Sequence, residues 1–164
     1  MKFEEKFKSA IEFLEKSDIY SPNKPAIPHL KNVAKYLFEK EFSDEVVLAG
    51  LFHDMLEWSS VTAEELENKF GSKVVSLISA NTKDRSIEDK IKRRQSQIDN
   101  CLKIGDEALV VKVADNLDSF NYYSKIENEK ELERCREWAN LLSKNLSDNL
   151  RNIFANDLAS ILKQ

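Results

Sequence analysis

The chain has 164 residues, the length of one ordinary domain and enough to bury a core without disulfide or metal staples. Its three glycines and three prolines make up about 4% of the chain against a usual ~12%, which excludes a turn-rich all-β sandwich or barrel, and helical periodicity along almost the whole chain predicts an all-α fold. A net charge of −4 with pI near 5.4 disfavours general nucleic-acid binding, and no apolar run approaches the ~18 residues of a membrane span.

In chain order, Phe3, Phe7, Ile11 and Leu14 recur at helical spacing and predict an amphipathic first helix that stops near Ser17 and Asp18. The prolines Pro22, Pro25 and Pro28 all fall in the connection that follows, and Pro28 suits the first position of a second helix, which puts His29 in that helix's first turn. Leu30, Val33, Ala34, Leu37 and Phe38 form its apolar side. Ser43 or Asp44 caps a third helix, apolar nearly all round up to the pair His53-Asp54 and running to Trp58, the pattern of a buried central element. Thr62 and Glu65 predict a capping box for a short fourth helix closed by Gly71, and a fifth follows directly through Thr82.

A charged sixth helix is expected from Asp84 or Ser86 to Cys101, ended by Gly105, and a seventh from Asp106 carries Leu109, Val110, Val113, Ala114, Leu117 and Phe120. Two more helices are expected over about 129–143 and about 148–162, with Ser147 as a cap and Leu150, Ile153, Phe154, Leu158, Ile161 and Leu162 facing inward. The expectation is a single domain over 1–164, a bundle of about eight or nine helices. The opening residues mix acids with lysines and read as neither a secretory signal nor a transit peptide, so the expected compartment is the cytoplasm. Cys101 and Cys135 lack metal or redox spacing and read as buried small hydrophobes or incidental surface thiols.

The chain has two histidines, and both sit among candidates for chemistry. Burying the His53-Asp54 pair in an apolar helix costs several kcal/mol (roughly) unless it is paired or bound to a cation. His53 taken alone reads sooner as a hydrogen-bonded core residue than as a ligand. Its neighbours change the balance: Asp54 can reach the same ion from the other flank of the helix, and Glu57 lies one turn along, placed to hold or deprotonate a water on a metal. Asp115 interrupts the apolar face of the seventh helix, as a salt-bridged aspartate or as a ligand. His29, His53, Asp54 and Asp115 together form a mixed N/O set suited to manganese, iron or zinc.

The order His, His-Asp, Asp on a helical chain resembles the HD superfamily of metal-dependent phosphohydrolases. "IPHLKNVAKYL", "VLAGLFHDMLEWSSVTAEELENKFGSKVVSLISANTK", "DRSIEDKIKRRQSQI" and "VVKVADNLDSF" are similar, in that order, to segments of the Rel/Spo-type alarmone hydrolases and their small single-domain relatives, over roughly residues 20–125. The resemblance implies an HD-type helical bundle in which His29, His53, Asp54 and Asp115 bind one divalent metal ion, manganese being usual, and Glu57 handles the attacking water. It implies hydrolysis of the 3′-pyrophosphate of ppGpp or pppGpp. The alternatives are an HD nucleotidase releasing orthophosphate from a nucleoside monophosphate, and a catalytically degenerate nucleotide-binding HD protein.

Trp58 stands where the family has a second acid, Tyr20 and Ser21 where it has basic residues at the guanine, and Ser119 where it has an asparagine. Tyr20 can stack on a base and Ser119 can hydrogen-bond over a shorter reach. Lys83, Arg85, Lys90, Lys92, Arg93 and Arg94 are the one basic concentration, either a solvated helix face or a phosphate-capturing rim in which Arg93 and Arg94 contact substrate. Lys112 reads as a phosphate ligand or as an ion pair with Asp115. Trp138, Tyr122 and Tyr123 read as core or interface aromatics. The expected partner is a small phosphorylated nucleotide, with no nucleic acid and no membrane, and a homo-oligomer is left open.

Overall fold

A computed structural model describes residues 1–163, all-α, with no strand among the described residues; Gln164, the last residue of the expected domain, lies outside them. The helices are α1 (Phe3–Lys6), α2 (Lys8–Lys16), α3 (Ala26–Glu39), α4 (Asp44–Phe52), α5 (Met55–Trp58), α6 (Ala63–Phe70), α7 (Ser72–Asn81), α8 (Lys90–Ile104), α9 (Asp106–Lys125), α10 (Glu129–Asn145), α11 (Asp148–Ile153) and α12 (Ala155–Leu162). The expected eight or nine helices become twelve among the described residues because three are interrupted, at Phe7, at His53-Asp54 and at Phe154. Phe7 and Phe154 are buried at their breaks, so each bend lets an aromatic ring fill the core between two short segments.

Local chemistry sets the remaining boundaries. α3 starts at Ala26 rather than at Pro28, which becomes the third helical residue, still within the turn whose N–H groups have no helical acceptor. His29 is therefore the fourth, and its N–H is received by Pro25 O at 3.3 Å. α8 starts four residues later than Ser86, because Asp84 is spent on Ser86 whereas the Asp89 carboxylate accepts from the N–H groups of both Ile91 and Lys92. Thr62 caps α6 and Ser147 caps α11 as expected. Gly71 at φ +94° and Gly105 at φ +121° occupy the left-handed conformation that ends α6 and α8.

α9 is the axis of the molecule, buried on nearly every side and packed against α3, α4, α7, α8, α10 and α12. α4 lies against both α3 and α9. Its approach to α3 depends on Gly50, where an added Cβ would stand 2.6 Å from Leu37 Cδ1 and 3.3 Å from Val33 Cγ1. This three-helix contact brings residues from distant parts of the chain together at one end of the core. Ile153 and Leu162, expected to face inward, are exposed, while Leu150, Phe154, Leu158 and Ile161 carry the tail's packing. Both cysteines are buried and free. Among the described residues no helix is long and apolar enough to cross a membrane.

Candidate metal centre and substrate cleft

His53 and Asp54 do not lie inside a continuous helix. They form its break: α4 ends at Phe52, α5 starts at Met55, and Asp54 sits at φ −95°, ψ −5°. The interruption turns both side chains to the same side, with His53 Nε2 3.6 Å from Asp54 Oδ1. α9 supplies Asp115, whose Oδ1 is 3.6 Å from His53 Nε2 and 3.1 Å from His29 Nε2. The two imidazole rings meet edge to face at 5.3 Å. His29, His53 and Asp115 each offer a ligand atom within 4.8 Å of the others, and Asp54 adjoins this group through His53.

The donor set fits a cation. His53 Nδ1 donates to Gly50 O at 2.8 Å, which leaves the buried Nε2 as the atom facing the cluster, and nothing among the described residues hydrogen-bonds it. A buried nitrogen without a hydrogen-bond partner beside two carboxylates is costly unless something positive, a proton or a metal ion, sits among them. Burial pushes the His53 pKa down, yet Asp54 and Asp115 outweigh it and hold the group up, at about 9. Burial likewise raises Asp115, but Lys112 and His53 more than offset this and keep the carboxyl well below its usual range. Two imidazoles and two carboxylates are ligands for a borderline divalent ion such as manganese, iron or zinc.

His53, Asp54 and Asp115 floor a narrow cavity of about 60 Å³, whose wall carries Lys24, Lys83, Lys112 and Arg134 against the carboxylates of Asp54, Glu57 and Asp115. The four cations already outnumber the three carboxylates, and a divalent ion would add to that excess. Lys112 Nζ donates to Asp115 Oδ2 at 2.7 Å and lies 4.4 Å from the centre of the Trp138 ring, so it is the ion-pair partner among the two roles expected for it. Among the described residues, nothing accepts a hydrogen bond from Lys83 Nζ, and burial together with Lys112 holds its pKa below the ordinary lysine value. Glu57 is buried, accepting from Lys83 N–H at 3.0 Å and from Arg85 at 3.2 Å. Arg85 also lies 4.8 Å over the Trp58 ring, and Trp58 meets Tyr20 edge to face at 5.6 Å.

The HD domain family matches residues 8–144. The chain belongs to the HD domain family. It is similar to the guanosine-3′,5′-bis(diphosphate) 3′-pyrophosphohydrolase MESH1 of Drosophila melanogaster, 33% identical over 80% of this chain and 74% of that protein. The Danio rerio MESH1 is 35% identical, over 68% of this chain and 57% of its own length. A guanosine-3′,5′-bis(diphosphate) 3′-pyrophosphohydrolase of Aquifex aeolicus is 31% identical, with this chain spanning 16% of it. Among solved structures, a metazoan ortholog of SpoT that hydrolyzes ppGpp superposes with a TM-score of 0.67 at 23% identity, covering 92% of this chain and 94% of that one, which places the fold.

In this HD domain the other expected contacts are distributed unevenly. Ser119 is buried in the cavity wall and donates to Asp115 Oδ1 at 3.3 Å. Tyr20 stands outside the cavity, exposed, against Trp58. Arg93 and Arg94 line a second, adjoining cleft of about 350 Å³ rather than the metal cavity, and the two share Lys83, Arg134 and Trp138. Arg93 spends its donors on Ile87 O and Glu88 O, clamping the loop before α8, and Arg94 pairs with Glu137. Sequence reasoning missed Arg134, Asn81 and Asp118. Asp118 receives a hydrogen bond from His29 Nδ1 at 2.6 Å. Its spacing of three residues from Asp115, on the same helix face, was the available signal.

Proposed function

We propose that this HD domain is a manganese-dependent 3′-pyrophosphohydrolase of ppGpp and pppGpp. The observation that carries it is the His53 Nε2 orphan, buried among His29, Asp54 and Asp115 and opening into a cation-lined cavity, in a chain whose relatives bear that activity. His29, His53, Asp54 and Asp115 would hold the ion. When bound, a divalent ion lowers the pKa of water and polarises a phosphoryl oxygen.

The chain's own groups do the rest. Lys83 and Arg134 lie along the cavity wall and neutralise a diphosphate. Beyond its bonds from Lys83 and Arg85, the Glu57 carboxylate keeps lone pairs free to take the proton of the attacking water. Ser119 and Lys112 fix the Asp115 carboxylate from two sides. One water is consumed, and GDP or GTP leaves with pyrophosphate. A cavity of about 60 Å³ is small against the ~300–1,000 Å³ of pockets that bury a whole ligand, so only part of a nucleotide enters it. The remainder extends past Trp58 and Tyr20, which offer a base an aromatic edge, or along the adjoining cleft that Arg93 and Arg94 line.

One observation favours a second reading: Trp58 replaces an acid and is packed between Arg85 and Tyr20, as in a nucleotide-binding protein that has lost turnover. Purified protein given Mn²⁺ and, separately, ppGpp and GMP decides among the readings. Release of pyrophosphate and GDP, abolished by Asp54→Ala, is expected. Orthophosphate from GMP would identify a nucleotidase, and metal-dependent ppGpp binding without turnover a binding protein.

A further inference from the structure

We infer that Asp118 is a positioning residue for the metal centre: its carboxylate locks the ring and the tautomer of His29 so that Nε2 is presented as a ligand. The inference rests on the metal-centre reading above and adds to it a residue that reaches the ion's cluster only from behind, through His29 Nδ1, and stands outside the substrate cleft. Asp118 is absent from the lining of that cleft. It lies one turn beyond Asp115 on α9, bordering a separate cavity of about 200 Å³ with Lys24 and Lys125.

The need for such a residue follows from the neighbours of His29. Its side chain is 2% exposed, and Nε2 is 3.1 Å from Asp115 Oδ1. A neutral imidazole free to choose would put its proton on Nε2 and donate it to Asp115, using up two ligand atoms in one internal hydrogen bond. The Asp118 Oδ2 atom, 2.6 Å from Nδ1, claims that proton instead and leaves the Nε2 lone pair to a cation. His53 solves the same problem through a backbone carbonyl, Gly50 O at 2.8 Å. A carboxylate acceptor also makes the imidazole a stronger donor, so the two histidines are oriented alike and tuned differently.

Mn²⁺ titration of the full chain, by calorimetry or by competition with a fluorescent chelator, tests this on the wild type, Asp118→Ala and Asp118→Asn, with circular dichroism reporting the fold of each. Asparagine keeps an oxygen acceptor for Nδ1–H, so it serves as the rescue. The expected result is an affinity about 10–100-fold weaker for alanine, with asparagine recovering part of the loss. Wild-type binding with alanine within twofold of it, or an asparagine loss as large as alanine's, overturns the role of Asp118 alone. A wild-type chain that binds no divalent ion overturns the metal centre and this inference with it.

Discussion

Lys112→Met removes the cation that holds Asp115 while keeping the length and apolar stem of the side chain. Both members of the pair are nearly buried, at 12% and 13% side-chain exposure, and 2.7 Å apart. Removing one partner of a buried pair costs about 3–5 kcal/mol. Asp115 keeps the hydrogen bond from Ser119 Oγ at 3.3 Å, which places the cost near the lower end. Loss of the cation over Trp138 adds about 1 kcal/mol. A total of about 3–4 kcal/mol lowers the melting temperature by roughly 6–16 °C in a chain of this size. Thermal unfolding followed by circular dichroism in EDTA should read that drop. In saturating Mn²⁺ the ion supplies the missing positive charge, and only the Trp138 contact remains lost, about 2–4 °C. An equal drop with and without Mn²⁺ would refute the claim that Lys112 and the ion serve the same carboxylate, and a drop under about 2 °C in EDTA would refute the buried-pair energetics.

Gly50→Val drives a branched side chain into Leu37 and Val33 at the α3–α4 contact, at a cost of about 1–3 kcal/mol, and the same displacement of Gly50 O should weaken Mn²⁺ binding; unchanged melting temperature and affinity would show the contact to be loose. Burial pushes the thiols of Cys101 and Cys135 up to about 12 and about 11, so a disulfide reagent near pH 8 should label neither until the chain is unfolded. Because the fold favours their protonated form, their contribution to stability is full below the ordinary thiol value and is lost as pH rises through these values, which unfolding curves at alkaline pH would read. Trp58→Asp, which removes the stack on Arg85, should change ppGpp turnover by about twofold or less if Glu57 suffices, whereas a rise beyond about tenfold, some 1.4 kcal/mol off the barrier, would mark the tryptophan site as degenerate.

Most of the helical content was legible because its signals are local. The Thr62 and Ser147 caps, the Gly71 and Gly105 stops and the apolar stripes act within a turn or two, and each reappears in the structure, the exposed Ile153 and Leu162 of the tail excepted. The sequence reading failed where two local signals competed or a core contact overruled them: Asp89 took the α8 cap from Asp84, and Phe7 and Phe154 bent helices that periodicity alone runs straight through. Arg93 and Arg94 read in the sequence as part of a solvated helix face or a phosphate-capturing rim, whereas in the structure the backbone carbonyls of Ile87 and Glu88 engage Arg93 and the carboxylate of Glu137 engages Arg94.

By itself the sequence determined the all-α class, the positions of both histidines and the residue types able to bind a divalent ion, since composition, periodicity and side-chain chemistry need no partner to be read. Only the tertiary structure decided which of these meet. His29 and Asp115 are separated by 86 residues and His29 and Asp118 by 89, and they touch because α3 and α4 pack closely, through Gly50, onto the central α9. The break at His53-Asp54, the clamp on Glu57 and the Asp118 carboxylate behind His29 come from that packing, in which a buried polar atom takes whichever donor or acceptor the neighbouring helix brings within reach.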